Sequence, residues 1–227
     1  MSLKEVRKKA IKDDTDIFYY PIRYISTIIT MFLVKTNVTP LQVTWVHFII
    51  GTIAAILFGF GNYGLAIFAF CLFFLSIVLD MVDGEIARYK EIRSEVSVWL
   101  DHISDYILIF LLITGITVGD FIVNQDVSTV FLALIALVIT GSGGVINISK
   151  RTFEKIKQAK AIRLPLKFKY AKKVHVGISV LSSLILITGP VIKEVKIIFI
   201  IYIAINSFAT IRSFFHKIKL IKKEFGE

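Results

Sequence analysis

Apolar residues run through this chain in long blocks, broken at intervals by short polar or charged stretches. A helix that crosses a bilayer needs about 20 mostly apolar residues. The blocks near that length predict six spans: about Leu41 to Phe60, Tyr63 to Leu79, Val96 to Val118, Ser128 to Ile148, Val174 to Gly189 and Ile197 to Phe215. The turn Gly61-Asn62-Tyr63-Gly64 closes the first, and Pro190 separates the last two. The second is expected to continue as helix through the acidic run that follows Leu79. Ile17 to Val34 is a different case: Arg23 and Lys35 bracket eleven residues, too few to cross, and Pro21 punctuates the start. That segment is expected to lie in the membrane interface as a helix. The pattern therefore predicts an all-α integral membrane protein with six transmembrane helices and an N-terminal interfacial amphipathic helix. No repeat, low-complexity tract or linker divides it. Residues 1–227 read as one membrane domain, with 1–38 as its cytoplasmic or interfacial N-terminal segment.

Composition agrees: 56% of the residues are hydrophobic and the mean hydropathy is +0.75, far above a soluble domain. The net charge of +10 would raise nucleic acid as a partner in a soluble protein. Here no recognition motif accompanies it, so nucleic-acid binding is set aside. The basic residues instead cluster in alternate connections. Lys4, Arg7, Lys8, Lys9 and Lys12 precede the first span, Arg88, Lys90 and Arg93 follow the second, Lys150 to Lys173 is a basic loop after the fourth, and the tail beyond Arg212 is Lys-rich. The other connections, Gly61 to Gly64, Gly119 to Asp126 and Pro190 to Glu194, carry almost no positive charge. Positive-inside bias places both termini and the acidic run on the cytoplasmic side of a multi-pass cell-membrane protein that meets anionic lipid. The single cysteine, Cys71, sits in an apolar run and reads as a small buried hydrophobe. The charged N-terminus lacks the pattern of a cleaved signal peptide.

The candidate chemistry lies in the run from Leu79 to Asp105. Asp80 and Asp83 are spaced i, i+3 and Asp101 and Asp105 i, i+4, so each pair shares a helix face. Carboxylates beside hydrocarbon are expensive and mark function by default. Four that converge need positive charge between them, and hard divalent cations take carboxylate oxygens. Gly84 and Ala87 share the stripe of Asp80 and Asp83, leaving room for a ligand or a neighbouring backbone to approach. Arg88 points toward the same region, where it could meet a phosphate or an acid. His102 lies about 100° round the helix from Asp101 and is expected to pack or anchor at the interface. His47 is expected as a hydrogen-bonded interior residue. An ion-coupled transporter would more naturally hold its ligands at the bilayer midplane, on broken helices or repeats; these acids sit at one border of a chain with neither.

The pattern Asp80-x-x-Asp83-Gly84-x-x-Ala87-Arg88, then eight residues, then Ser97-x-x-x-Asp101-x-x-x-Asp105 closely resembles the signature of the CDP-alcohol phosphotransferase family. The segment Thr39-Pro40-Leu41-Gln42-Val43-Thr44 is similar to that family's Pro-containing lead into the first span. The resemblance implies transfer of a phosphoalcohol group from a CDP-linked donor, such as CDP-diacylglycerol, to an acceptor alcohol, with release of CMP. It implies two divalent ions, Mg²⁺ or Mn²⁺, on Asp80, Asp83, Asp101 and Asp105, with Asp105 also the general base. Gly84, Ala87, Arg88, Gln42, Thr44 and Ser97 would form the nucleotide site, and the protein would be a homodimer. Two positions depart from the family pattern: Ser97 stands where Gly is usual, and Leu41 where Asn is frequent.

The acceptor is less defined. Glu85 and the N-terminal pattern are similar to members that use inositol phosphate. A phosphate-bearing acceptor, inositol phosphate or glycerol phosphate, needs cations near the site, and Lys150, Arg151 and Arg212 at cytoplasmic span ends are the candidates. Serine, ethanolamine or choline would not need them.

Overall fold

The computed structural model describes residues 3–10, 20–92, 95–159 and 169–225. These form eight helices, α1 (Leu3–Ala10), α2 (Tyr20–Leu33), α3 (Pro40–Phe58), α4 (Tyr63–Tyr89), α5 (Glu95–Asn124), α6 (Val127–Ala159), α7 (Lys169–Ile192) and α8 (Val195–Phe225), with no strand among the described residues. The protein is an all-α membrane protein. Among the described residues, five helices are long and apolar enough to cross a bilayer: α3, α4, and the segments Trp99–Asn124, Val127–Ile146 and Val195–Phe215. The described apolar part of α7, Val180–Ile192, is shorter.

Local chemistry sets the ends of the helices that carry the acids. Thr39 and Gln42 form a reciprocal cap on α3: the Gln42 amide donates to Thr39 Oγ1 at 3.3 Å and the Thr39 amide to Gln42 Oε1 at 2.9 Å. Pro40 opens the helix where its missing N–H costs nothing. Asn62 caps α4 by accepting from the Leu65 amide at 3.1 Å. At the other end of α4, Glu91 turns left-handed (φ 57°) and the Ile92 amide reaches back to the Ala87 carbonyl at 3.1 Å. α5 begins at Glu95 and carries Asp101 beside Asp80.

The basic stretch Lys150 to Lys173, expected as a loop, is helical over most of its length. α6 runs on to Ala159 and α7 begins at Lys169, while residues 160–168 lie outside the described residues. Arg-Thr-Phe-Glu-Lys-Ile-Lys-Gln-Ala consists largely of good helix formers. Extending an existing helix needs no new nucleus, so charge ends the span without ending the helix.

α3 and α5 meet through glycine. A Cβ on Gly115 would stand 3.0 Å from the carbonyl carbon of Ala55 and closer still to its oxygen, and one on Gly119 would collide with the Phe58 carbonyl. With lipid outside, helices associate by such close backbone approach rather than by expelling water. The interior cluster includes Phe58, Phe73, Leu112, Ile116, Leu186, Phe199 and Tyr202. Ile49, Ile53 and Ile56 on α3, and Phe131, Leu134 and Val138 on α6, point outward, as lipid-facing residues do.

α2 spans about 21 Å at 1.5 Å per residue, too short to cross. Its polarity is reversed relative to a helix lying on a soluble core. Ser26, Thr27 and Thr30 are buried against the bundle, whereas Tyr24, Ile25 and Phe32 are exposed. α1 is a further helix, packed on α2 and α4, with Val6 and Ala10 buried.

At the opposite border, Asp126 between α5 and α6 pairs with Lys196 at the start of α8. That bond, with further ones from Ser128, holds the Asp126 carboxyl down at about 2.

Candidate active site

α4 and α5 bring all four predicted carboxylates to one place. Oxygens of Asp80, Asp83 and Asp101 lie within 4.8 Å of one another, as do ligand atoms of His47, Asp80 and Asp105. Asp80 belongs to both groups. The carboxyls of Asp80 and Asp101 come within hydrogen-bonding reach of each other. Two ionised carboxylates can only accept hydrogen bonds, so this approach needs a proton or a cation between them. An all-oxygen cluster of this kind fits a hard divalent ion, Mg²⁺ or Mn²⁺. Asp80, Asp83 and Asp101 would hold one such ion, and Asp80 with Asp105 a neighbour.

A layer of hydroxyls and one imidazole packs beside the acids. Thr44 Oγ1 donates to Asp83 Oδ2 at 2.6 Å, in a pocket where both side chains are buried. Ser104 Oγ donates to the Asp101 carbonyl at 2.8 Å and Ser76 Oγ to the His47 carbonyl at 2.8 Å. The His47 ring sits between these two serines, 3.4 Å from each hydroxyl.

The remaining predicted residues are placed as follows. Arg88 lies over Gly84, so that a Cβ there would meet its guanidinium at 3.2 Å, and Arg88 Nε donates to the Ala10 carbonyl at 2.5 Å. The space beside Gly84 is therefore occupied by the motif's own arginine. Ala87 is half-buried and Gln42 is exposed at the α3 cap. Ser97 lies in α5, and Lys150 and Arg151 in α6, but their side chains fall outside the described residues. Arg212 is exposed on α8. α6 passes the Tyr106 ring at Gly144, and a Cβ on Gly143 would meet Thr210 of α8 at 3.3 Å. Lys150, Arg151 and Arg212 thus sit toward the same end of the bundle as Asp105.

Glu85 turns away from the acid cluster. It is buried and accepts from Ser26 Oγ at 2.7 Å and Thr30 Oγ1 at 2.8 Å, with Arg23 Nη1 at 3.7 Å. It fastens α2 to α4. His102 is part-exposed, with Nδ1 3.7 Å from Asp101 Oδ2. The expectation that His47 is an interior hydrogen-bonded residue agrees with its burial, but its adjacency to Asp80 and Asp105 was missed. The signal was the spacing Thr44-x-x-His47, which puts both on the α3 face that Asp83 contacts.

The sequence matches the family model for CDP-alcohol phosphatidyltransferase over residues 37–211, most of the chain and all of the acidic motif. The chain belongs to the CDP-alcohol phosphatidyltransferase family. As a member of that family it is a membrane-embedded transferase of phospholipid synthesis that uses a CDP-linked donor. Its fold is similar to that of a solved structure described as Mycobacterium tuberculosis phosphatidylinositol phosphate synthase with CDP-DAG bound. The two superpose with a TM-score of 0.61 at 18% identity, covering 84% of this chain and 92% of the other. No curated protein matches the sequence as a relative.

Proposed function

We propose that this family member transfers a phosphatidyl group from CDP-diacylglycerol to a phosphorylated polyol, inositol phosphate or glycerol phosphate, and releases CMP. The observation that carries the reading is the convergence of Asp80, Asp83, Asp101 and Asp105 from two helices. The acceptor hydroxyl attacks the phosphorus that carries diacylglycerol, the bond from that phosphorus to the CMP oxygen breaks, and Asp105 takes the hydroxyl proton. Two divalent ions, when bound, would stabilise charge on the attacking and leaving oxygens. Asp80, Asp83 and Asp101 would hold the ions, and the Thr44 hydroxyl fixes the Asp83 carboxylate. Gly84, Ala87, Arg88, Gln42, Thr44 and Ser97 would form the cytidine side of the site. Lys150, Arg151 and Arg212 would receive the acceptor's phosphate.

A lipid-linked donor is favoured by a groove of about 110 Å³ beside the site. Trp45, Phe48, Leu100, Ile103 and Ile107 line it, together with Thr44 and Ser104. We place the site and both termini on the cytoplasmic side of the cell membrane, with α7 as the sixth span and the protein as a homodimer.

The test is CMP release by purified protein with Mg²⁺ or Mn²⁺ and CDP-diacylglycerol, across inositol phosphate, glycerol phosphate, serine and free inositol. Release that depends on a phosphorylated polyol supports the reading, and release with serine moves the protein to the amino-alcohol branch. Asp105→Asn should abolish turnover while largely sparing metal-dependent CDP binding; normal turnover would remove Asp105 as the base.

A further inference from the structure

His47 has a hydrogen-bond count that does not close. The ring is buried, with 2% of its surface exposed, and its two nitrogens face Ser76 Oγ and Ser104 Oγ. Each hydroxyl has one proton. Ser76 directs its proton to the His47 carbonyl and Ser104 to the Asp101 carbonyl, both at 2.8 Å, against 3.4 Å to the ring. With their protons so directed, both serines accept from the ring. A neutral imidazole has one N–H to give and one lone pair to fill. In that arrangement one ring nitrogen keeps a lone pair that neither serine proton fills.

The same ring has a nitrogen within 4.8 Å of carboxylate oxygens of both Asp80 and Asp105. A cavity of about 60 Å³ lined by His47, Ser76, Asp80, Asp105 and Ser183 opens beside it, roomy and polar enough for water to complete a coordination shell. We infer that His47 is a direct ligand of a divalent cation at the His47–Asp80–Asp105 corner of the site. This rests on the metal-dependent reading above and sharpens it. The two corners then differ in chemistry: Asp80, Asp83 and Asp101 offer oxygen alone, which suits Mg²⁺, whereas the His47 corner offers mixed nitrogen and oxygen. Imidazole shifts a site toward Mn²⁺ and Zn²⁺ over Mg²⁺. The site would hold two unlike positions rather than a matched pair.

The experiment uses Mn²⁺ as the probe, on full-length protein carrying no added histidine tag. Pulsed electron paramagnetic resonance reads nitrogen directly bound to Mn²⁺. Wild type should show ¹⁴N modulation that converts to the ¹⁵N pattern when histidine is ¹⁵N-labelled. His47→Gln should lose the modulation and bind Mn²⁺ at that position about tenfold or more weakly, while His102→Gln keeps it. Bound Mn²⁺ without histidine modulation in wild type would overturn the inference, as it would if a second ring proton rather than a metal fills the lone pair. Modulation that survives in a folded His47→Gln, or disappears in His102→Gln, would overturn it too. If His47→Gln does not fold, wild type and His102→Gln decide between these outcomes. Failure to bind any Mn²⁺ would instead remove the metal-dependent reading itself.

Discussion

Replacing Gly115 by Ala adds one methyl group at the point where α5 presses on the α3 backbone. The added Cβ would sit 3.0 Å from the Ala55 carbonyl carbon, and nearer its oxygen. Carbon atoms prefer about 3.5–4 Å, so the helices must part by on the order of 1 Å. Backbone cannot rotate aside as a side chain can. Overpacking of this kind costs about 1–3 kcal/mol, against at most about 1 kcal/mol returned by alanine's better helix propensity. Packing wins, and Gly115→Ala should be less stable than wild type. The functional effect should be larger. Asp105 lies ten residues back along α5, about 15 Å, and moving α5 off α3 moves Asp101 and Asp105 relative to Asp80 and Asp83. A displacement near 1 Å at a reacting centre costs about 10²-fold in rate. The matched control is Gly141→Ala, whose Cβ would meet only Phe110 at an ordinary 3.6 Å. Thermal unfolding in detergent and CMP release should both fall for Gly115→Ala and hold for Gly141→Ala. Equal melting and equal turnover for the two variants would refute the idea that this contact sets the spacing of the acids.

Thr44→Val removes the 2.6 Å bond that orients Asp83; metal affinity in titration calorimetry should drop by about 10- to 100-fold with the fold intact. Glu85→Ala removes the acceptor that the Ser26 and Thr30 hydroxyls share across the α2–α4 contact, leaving Ser26 only the Arg23 carbonyl of its own helix. Limited proteolysis should then cut within or beside α2, while the α3–α5 contact is unaffected. Asp126→Asn breaks the bond to Lys196. The folded-state value of Asp126 is depressed to about 2 from 3.8, so its contribution is present above about pH 4 and disappears as pH falls through 2. The melting difference between wild type and Asp126→Asn should be largest near neutrality and shrink toward pH 2.

Five of the six expected spans were legible because hydropathy and chain length suffice for them: the stretch predicted from Leu41 to Phe60 is α3 within two residues at either end. Helix ends in water were not, since hydropathy stops at the first charges while backbone hydrogen bonding continues, as α6 does past Lys150. The acidic site was legible as four positions on two stripes. What brings the stripes together is spread over separate elements: Thr44 on α3, the glycines of α5, and Glu85 held by hydroxyls from α2. Periodicity reports which residues share a face but not which face a neighbour covers. For α2 that distinction decides the orientation, because its hydroxyl face turns inward. His47 shows the same limit, since its meaning depends on Ser76 and Ser104, residues 29 and 57 positions away.

The bond from Arg88 to the Ala10 carbonyl has a practical consequence for anyone preparing this protein. α1 contributes an acceptor to a residue of the acidic motif, and Lys9 stacks over Tyr89 next in sequence, 5.4 Å from its ring centre. Trimming the first ten residues, a routine simplification for expression, is therefore an edit to the surroundings of the arginine proposed to meet the donor. A shortened protein lacks that acceptor for the Arg88 guanidinium. Its nucleotide affinity would report on the trimmed variant rather than on the full chain.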